Sequence, residues 1–280
     1  MKRIGFIDYF IGESHANNYP GWFREICEKS GLEYQIAYVW AELDVSPVTG
    51  ETTDEWCAKT GAARCDTIEE LCEKSDVIVV LAPSNPEKHL GYAQVVLPYG
   101  KRTYIDKTFA PNLPIAKEIF EIAEKYQTPF FSSSALRYAE ELKEFEGSKN
   151  FIFTGGGRSL EEYSIHQIEM AVSLLKNPVK RVLVEKMGEQ RICHMVTENG
   201  SKAAIIYSPG MGFSVTGEKK DGKIVRRSIN SEFFVGLSSE MLHFFETGIS
   251  PFQPQETLEV MKLRDGILKG DKNPGAWLEL

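Results

Sequence analysis

Two groups of residues have the types and spacing to do chemistry. The first is Lys107, which ends the run "KRTYIDK", where β-branched and aromatic residues lead into Asp106 and then a lone lysine. An amine carried out of an apolar strand is either a solvated turn lysine or a cation placed to hold negative charge on oxygen. The second is Glu162-Tyr-Ser-Ile-His166. Four-residue spacing on a helix puts the carboxylate and the imidazole on one face. That is either a surface pair or an oriented imidazole suited to moving a proton near neutral pH.

The elements that must position these residues follow from periodicity. "RIGFIDYF", "EYQIAYVW", "DVIVVLAP", "KRTYIDK" and "TPFFSSSA" read as strands. The third is apolar almost throughout, as in a strand buried on both faces. Between them, "GWFREICEKSG", "TIEELCEKS", "HLGYAQVVLPYG" and "NLPIAKEIFEIAEKYQ" read as helices. Thr67 followed by Glu70 has the spacing of a capping box. Pro98 predicts an irregular last turn in its helix. Strand and helix in alternation predict an α/β, Rossmann-type parallel sheet over residues 1–134. Ligands of such sheets bind outside the carboxyl ends of the strands, where Lys107 falls.

From 135 to 280 the pattern changes. "LRYAEELKEFEG" reads as helical, "NFIFTGGG" as a strand running into a turn, and "SLEEYSIHQIEMAVSLLKNP" as a helix with Ile165, Ile168, Val172 and Leu175 on one stripe. Strand-like pieces follow, with a hairpin turn expected at "EKKDGK", and then two helices. This predicts a separate α+β domain with a mostly antiparallel open sheet. The "TGGG" run at 154–157 is a turn that could hold an anion.

The stretch "HLGYAQVVLPYGKRTYIDK" resembles the signature of the glucose–fructose oxidoreductase / inositol dehydrogenase (Gfo/Idh/MocA) family. There a histidine leads a helix, an alanine follows four residues on, Gly-Lys comes eleven on, and a strand ends in Glu-Lys-Pro. His89, Ala93, Gly100 and Lys101 hold those spacings, and Asp106-Lys107-Thr108 stands for Glu-Lys-Pro. In the family a cis peptide bond often precedes that proline, the residue that favours it, and here it is threonine. Glu162 and His166, with Glu169 three residues on, resemble the family's Asp-x-x-x-His helix, and "FFETGISPFQPQETLEVMKLRDGIL" its closing segment. The resemblance implies hydride transfer between NAD or NADP and a sugar, cyclitol or related polyol. It gives Lys107 the oxygen contact, His166 the proton and Glu162 the orientation of His166. Arg137 sits where the family often has an arginine near the domain junction, as a substrate contact or a structural ion pair. Gly12, Glu42, Pro83, His89 and Asp106 are the cofactor-binding candidates, with Asp44 beside Glu42 as a second acid for a ribose. It further implies a homodimer or homotetramer assembled through the open sheet.

The first loop departs from the pattern. A dinucleotide rests on G-x-G-x-x-G after the first strand, yet here the run is "GFIDYFIGESHANNYP". At least two of the three glycines are replaced by residues among Ile7, Asp8, Tyr9 and Phe10, and only Gly12 lies in the turn. Two readings stay open. Either the loop is reshaped and Gly12 with the following helix amides still offers an anion site, or the cofactor site is lost and the fold serves as a ligand-binding or regulatory protein.

Composition bounds the rest. A chain of 280 residues with 42% hydrophobic content suits two domains with a substantial core. A net charge of −8 with no basic block argues against nucleic acid and anionic membranes as partners. No apolar stretch reaches spanning length, and the N-terminus is too quickly polar for a signal peptide. Five cysteines without a C-x-x-C read as free thiols in a reducing cytoplasm, and the scattered histidines predict no metal site.

Overall fold

A computed structural model describes all 280 residues. By internal contacts the chain forms two units. Unit 1 is Met1–Ser133 with Leu237–Phe252, and unit 2 is Ser134–Gly236 with Gln253–Leu280.

Unit 1 is built on β1 (Lys2–Asp8), β2 (Tyr34–Ala41), β3 (Ala63–Arg64), β4 (Val77–Val80), β5 (Thr103–Ile105) and β6 (Phe130–Phe131). All pair in parallel, in the order β3-β2-β1-β4-β5-β6. The helices are α1 (Ser14–Ser30), α2 (Thr53–Thr60), α3 (Ile68–Lys74), α4 (His89–Val96) and α5 (Leu113–Tyr126). This order reverses direction at β1, where two crossovers leave to opposite sides and open a crevice at the carboxyl ends. Every residue of β4 is buried, as its apolar run requires.

Helix α1 begins seven residues before Gly21 and carries Pro20 inside it. The full capping box belongs to α2, where Thr52 accepts from Glu55 N and Glu55 reaches back to Thr52 N. At α3 only half the expected box forms. Thr67 accepts from Glu70 N at 3.1 Å, but the Glu70 carboxylate turns to Asp66 N at 2.8 Å. Helix α4 ends in a tight 3-10 turn over Leu97–Tyr99, closed by Gly100 at φ +66°.

Unit 2 carries β7 (Lys149–Gly155), β8 (Val179–Met187), β9 (Gln190–Thr197), β10 (Lys202–Tyr207), β11 (Ser214–Glu218), β12 (Ile224–Ser228) and β13 (Trp277–Glu279). Their order is β12-β11-β7-β10-β9-β8-β13. Only β7 and β10 pair in parallel. Helices α6 (Leu160–Leu175) and α8 (Pro254–Lys272) pack on one face of this sheet, and α7 (Phe233–Thr247) precedes α8. Ile165, Ile168, Val172 and Leu175 are all buried, so the expected stripe faces the core. The β11–β12 hairpin turns at Asp221-Gly222, with Gly222 at φ +82°.

Two segments differ from expectation. Residues 135–145 form two short 3-10 turns instead of one helix, because Ala139 is extended and Glu140 N donates to Ser231 Oγ. Residues 237–252 pack in unit 1 rather than with the second half of the chain. Phe244 meets Phe131 edge-on, Phe245 lies against Tyr34, and Glu246 accepts from Lys2 at 2.8 Å.

Candidate active site

In unit 1 the candidate residues collect at the carboxyl ends of β1, β2, β4 and β5. The last paired residue of β5 is Ile105, opposite Val80. Asp106 and Lys107 come next, where the chain leaves the sheet. Asp106 is fully buried and takes three hydrogen bonds, from His15 Nδ1 at 2.5 Å, Lys107 N at 2.8 Å and Tyr104 OH at 3.0 Å. Burial alone would raise its carboxyl, but the His15 ring and the Lys107 ammonium outweigh this and bring it down to about 2. An ionised carboxylate only accepts, so His15 carries its proton on Nδ1.

Lys107 is 9% exposed, and its Nζ donates to the carbonyl of Pro83 at 3.2 Å. The carbonyl stands at the end of β4, so amine and carbonyl sit across neighbouring strand ends. The Lys107–Thr108 peptide bond is cis without a proline. His89 is buried, with Nε2 2.6 Å from Leu81 O and Nδ1 3.0 Å from Phe109 O. Burial lowers its pKa and the two carbonyls oppose that shift. The ring thus links the exit of β4 to the segment after Lys107. Glu42, just past β2, accepts from Lys88 Nζ at 2.5 Å and Tyr92 OH at 2.7 Å. Against partial burial, these two donors hold its carboxyl below the usual range. Asp44 pairs with Arg64 at 2.6 Å.

The β1–α1 loop is shaped by carboxylates. Asp8 is 1% exposed, and its Oδ1 accepts from Tyr9 N at 2.7 Å and Ala82 N at 2.9 Å. Its Oδ2 is buried with no partner. Burial, then the neighbouring Glu13, push the Asp8 carboxyl well above the usual range. Glu13 caps α1, accepting from His15 N at 2.8 Å and Ala16 N at 2.5 Å. Gly12 answers a local demand. A Cβ there would stand 2.8 Å from Thr49 Oγ1 and 2.9 Å from Ser46 Cβ. As it stands, this loop does not fit a diphosphate, since the α1 amides that would hold one are taken by Glu13.

In unit 2, α6 presents His166 with its Nδ1 2.7 Å from Ser134 Oγ, between the edges of Tyr163 and Phe213. Ser134 is buried, and its amide donates to Glu169 Oε1 at 3.1 Å. Glu169 is also held by Arg137 at 3.0 Å, and Arg137 forms a second ion pair with Glu256. Burial raises the Glu169 carboxyl despite Arg137. Arg137 is therefore locked between two carboxylates. Glu162, the expected partner of His166, pairs with Arg158 one turn earlier. The glycines after β7 meet a packing need, for a Cβ on Gly156 would fall 1.8 Å from the carbonyl oxygen of Ser208. His15, Glu13 and Ser134 escape a reading by motif. The one sequence signal among them is Glu13 at the start of α1, where an acid suits the helix dipole.

No family model matches the sequence. No curated protein matches it either. Solved structures do match in fold. A probable dehydrogenase from Thermotoga maritima superposes with a TM-score of 0.82 at 12% identity, over 99% of this chain and 98% of that one. GenD2 from gentamicin A biosynthesis, solved in complex with NAD, gives 0.77 at 13% identity, over 100% and 97%. UDP-N-acetylglucosamine 3-dehydrogenase from Acidithiobacillus ferrooxidans gives 0.77 at 12% identity, over 96% and 97%. The chain shares the two-part fold of these dehydrogenases along nearly its whole length. No helix is long and apolar enough to cross a membrane.

Proposed function

We propose that the protein is an NAD(P)-dependent oxidoreductase acting on a secondary alcohol or ketone carbon of a sugar, cyclitol or related polyol. The observation that carries this reading is the nearly buried Lys107 ammonium, held at the carboxyl end of β5 in a sheet of dehydrogenase strand order. Likeness of fold to dehydrogenases, one with bound NAD and one acting on a nucleotide sugar, supports it.

A nicotinamide, if bound, would supply the hydride chemistry. The chain's own part is charge and proton. Lys107 Nζ balances negative charge on the reacting oxygen, which is worth most where water is excluded. In unit 2, His166, backed at Nδ1 by Ser134, is the proton-exchanging group that the chain offers. A hydroxyl can donate or accept, so Ser134 suits either direction of reaction. Glu42, beside Tyr92 and Lys88, is the acid assigned to a ribose. Five free cysteines agree with a reducing cytoplasm, and exposed Ile152 and Ile224 on the second sheet agree with a homo-oligomer.

The test is turnover of NAD(P)⁺ or NAD(P)H with a panel of sugars and cyclitols. Lys107→Ala is expected to abolish it while leaving the far-UV spectrum in place, with a modest fall in urea midpoint because the ammonium also favours the buried Asp106 carboxylate. Wild-type rates in that variant remove the mechanism. Failure of all four dinucleotides to bind any form of the protein favours a ligand-binding or regulatory role instead.

A further inference from the structure

The fold needs an anion seat that its own sequence has filled. In a sheet of this strand order, a dinucleotide's diphosphate meets the first helix at its N-terminal amides. Here Glu13 accepts from the amides of His15 and Ala16, at 2.8 and 2.5 Å. Its backbone is extended, at φ −124° and ψ 172°, so the side chain folds forward over the helix start. A carboxylate offers two oxygens to two amides, as a phosphate would. Behind it lies Asp8, buried, with one carboxyl oxygen unpartnered. An orphan acceptor in that place normally calls for a group to meet it. The Ser46–Thr49 turn lies against Gly12, with Ser46 Oγ donating to Gly12 O at 2.9 Å.

We propose that Glu13 is an internal gate: its carboxylate occupies the α1 amides, and a dinucleotide binds only as that side chain leaves. The proposal rests on the dehydrogenase reading for the identity of the ligand. Asp8 opposes the exchange less than an exposed carboxylate would, because burial, the largest cause of its raised carboxyl, acts whether or not Glu13 is in place. The gate makes affinity depend on a single local rearrangement, so binding is weak at rest and responsive to anything that draws Glu13 away. The sequence change from glycines to Asp8, Tyr9 and Phe10 then describes a closed seat.

Isothermal titration with NADH, NADPH and inorganic pyrophosphate tests it, on wild type, Glu13→Ala and Glu13→Gln. Glu13→Ala exposes both amides and removes one negative charge, and is expected to tighten all three ligands about ten- to a hundredfold. Glu13→Gln keeps a capping oxygen and sheds only the charge, so it should fall between, and it guards against loss of α1 stability in the alanine variant. Equal affinity for NADH in wild type and both variants overturns the gate and leaves the dehydrogenase reading standing. Tightening for pyrophosphate with no dinucleotide binding to any form upholds the filled seat and removes the dehydrogenase reading. No binding of any ligand to any form overturns both.

Discussion

His15→Ala removes the short contact to the buried Asp106 carboxylate, and its effect can be worked out in advance. The Asp106 carboxylate is fully buried and keeps two of its three donors, Lys107 N and Tyr104 OH, in the variant. The lost bond is charge-assisted, worth about 1.5–3 kcal/mol. The edge contact with Tyr19, at 6.0 Å between centroids, adds a smaller part that does not depend on pH. The expected loss at pH 7 is therefore about 2–3 kcal/mol.

The pH dependence separates the two parts. In the wild type the Asp106 carboxyl lies near 2, against an ordinary 3.8. A depressed folded pKa gives stability that is present above about pH 4 and is lost as pH falls toward 2. By linkage that difference is about 2 kcal/mol. Without His15, the main group opposing burial is gone and the carboxyl rises, so this acid-sensitive stability shrinks. The gap between wild type and variant should thus shrink from about 2–3 kcal/mol at pH 7 to under about 1 kcal/mol at pH 2. Urea unfolding followed by tryptophan emission measures it, because Trp22, Trp40 and Trp56 lie in unit 1 and only Trp277 in unit 2. A gap that stays constant across this range refutes the reasoning, for it would mean that the ring contributes packing alone.

Two further outcomes are expected in unit 2. Ser134→Ala should lower kcat about tenfold with KM unchanged, and shift the His166 tautomer seen by ¹⁵N correlation spectra, while Ser134→Thr restores both. Arg137→Leu leaves Glu169 buried without its cation and should destabilise the unit by about 3–5 kcal/mol in urea followed by far-UV circular dichroism, whereas Arg137→Leu with Glu169→Leu should recover part of that loss.

What could be read from the chain was local. The apolar run of β4 and the stripe of α6 announce themselves because burial and periodicity are written residue by residue. Lys107 was placed by the same logic, since strand order dictates which end of β5 meets the crevice. The start of α1 was hidden by Pro20, a residue that reads as a break. Helix α2 was legible in principle from Thr52 and Glu55, whose capping box is complete, whereas Thr67 and Glu70 have the spacing but only half the bonds. Contacts distant in sequence were not legible. Nothing near His166 marks Ser134 as its neighbour, and nothing in "FFVGLSSEMLHFFETG" says that its aromatic residues are wanted by Tyr34 and Phe131.

Helix α7 has a consequence for how the protein is made. Unit 1 is written in two pieces, 1–133 and 237–252, with more than a hundred residues of the other unit between them. Emerging from the ribosome, the parallel sheet arrives early yet lacks Phe244, Phe245 and Glu246, which cover Phe131 and Tyr34 and pair with Lys2. A nascent chain must therefore keep an apolar flank waiting through the synthesis of nearly the whole polypeptide. Release of a shortened product near residue 236 would leave that flank bare, a natural point for chaperone capture.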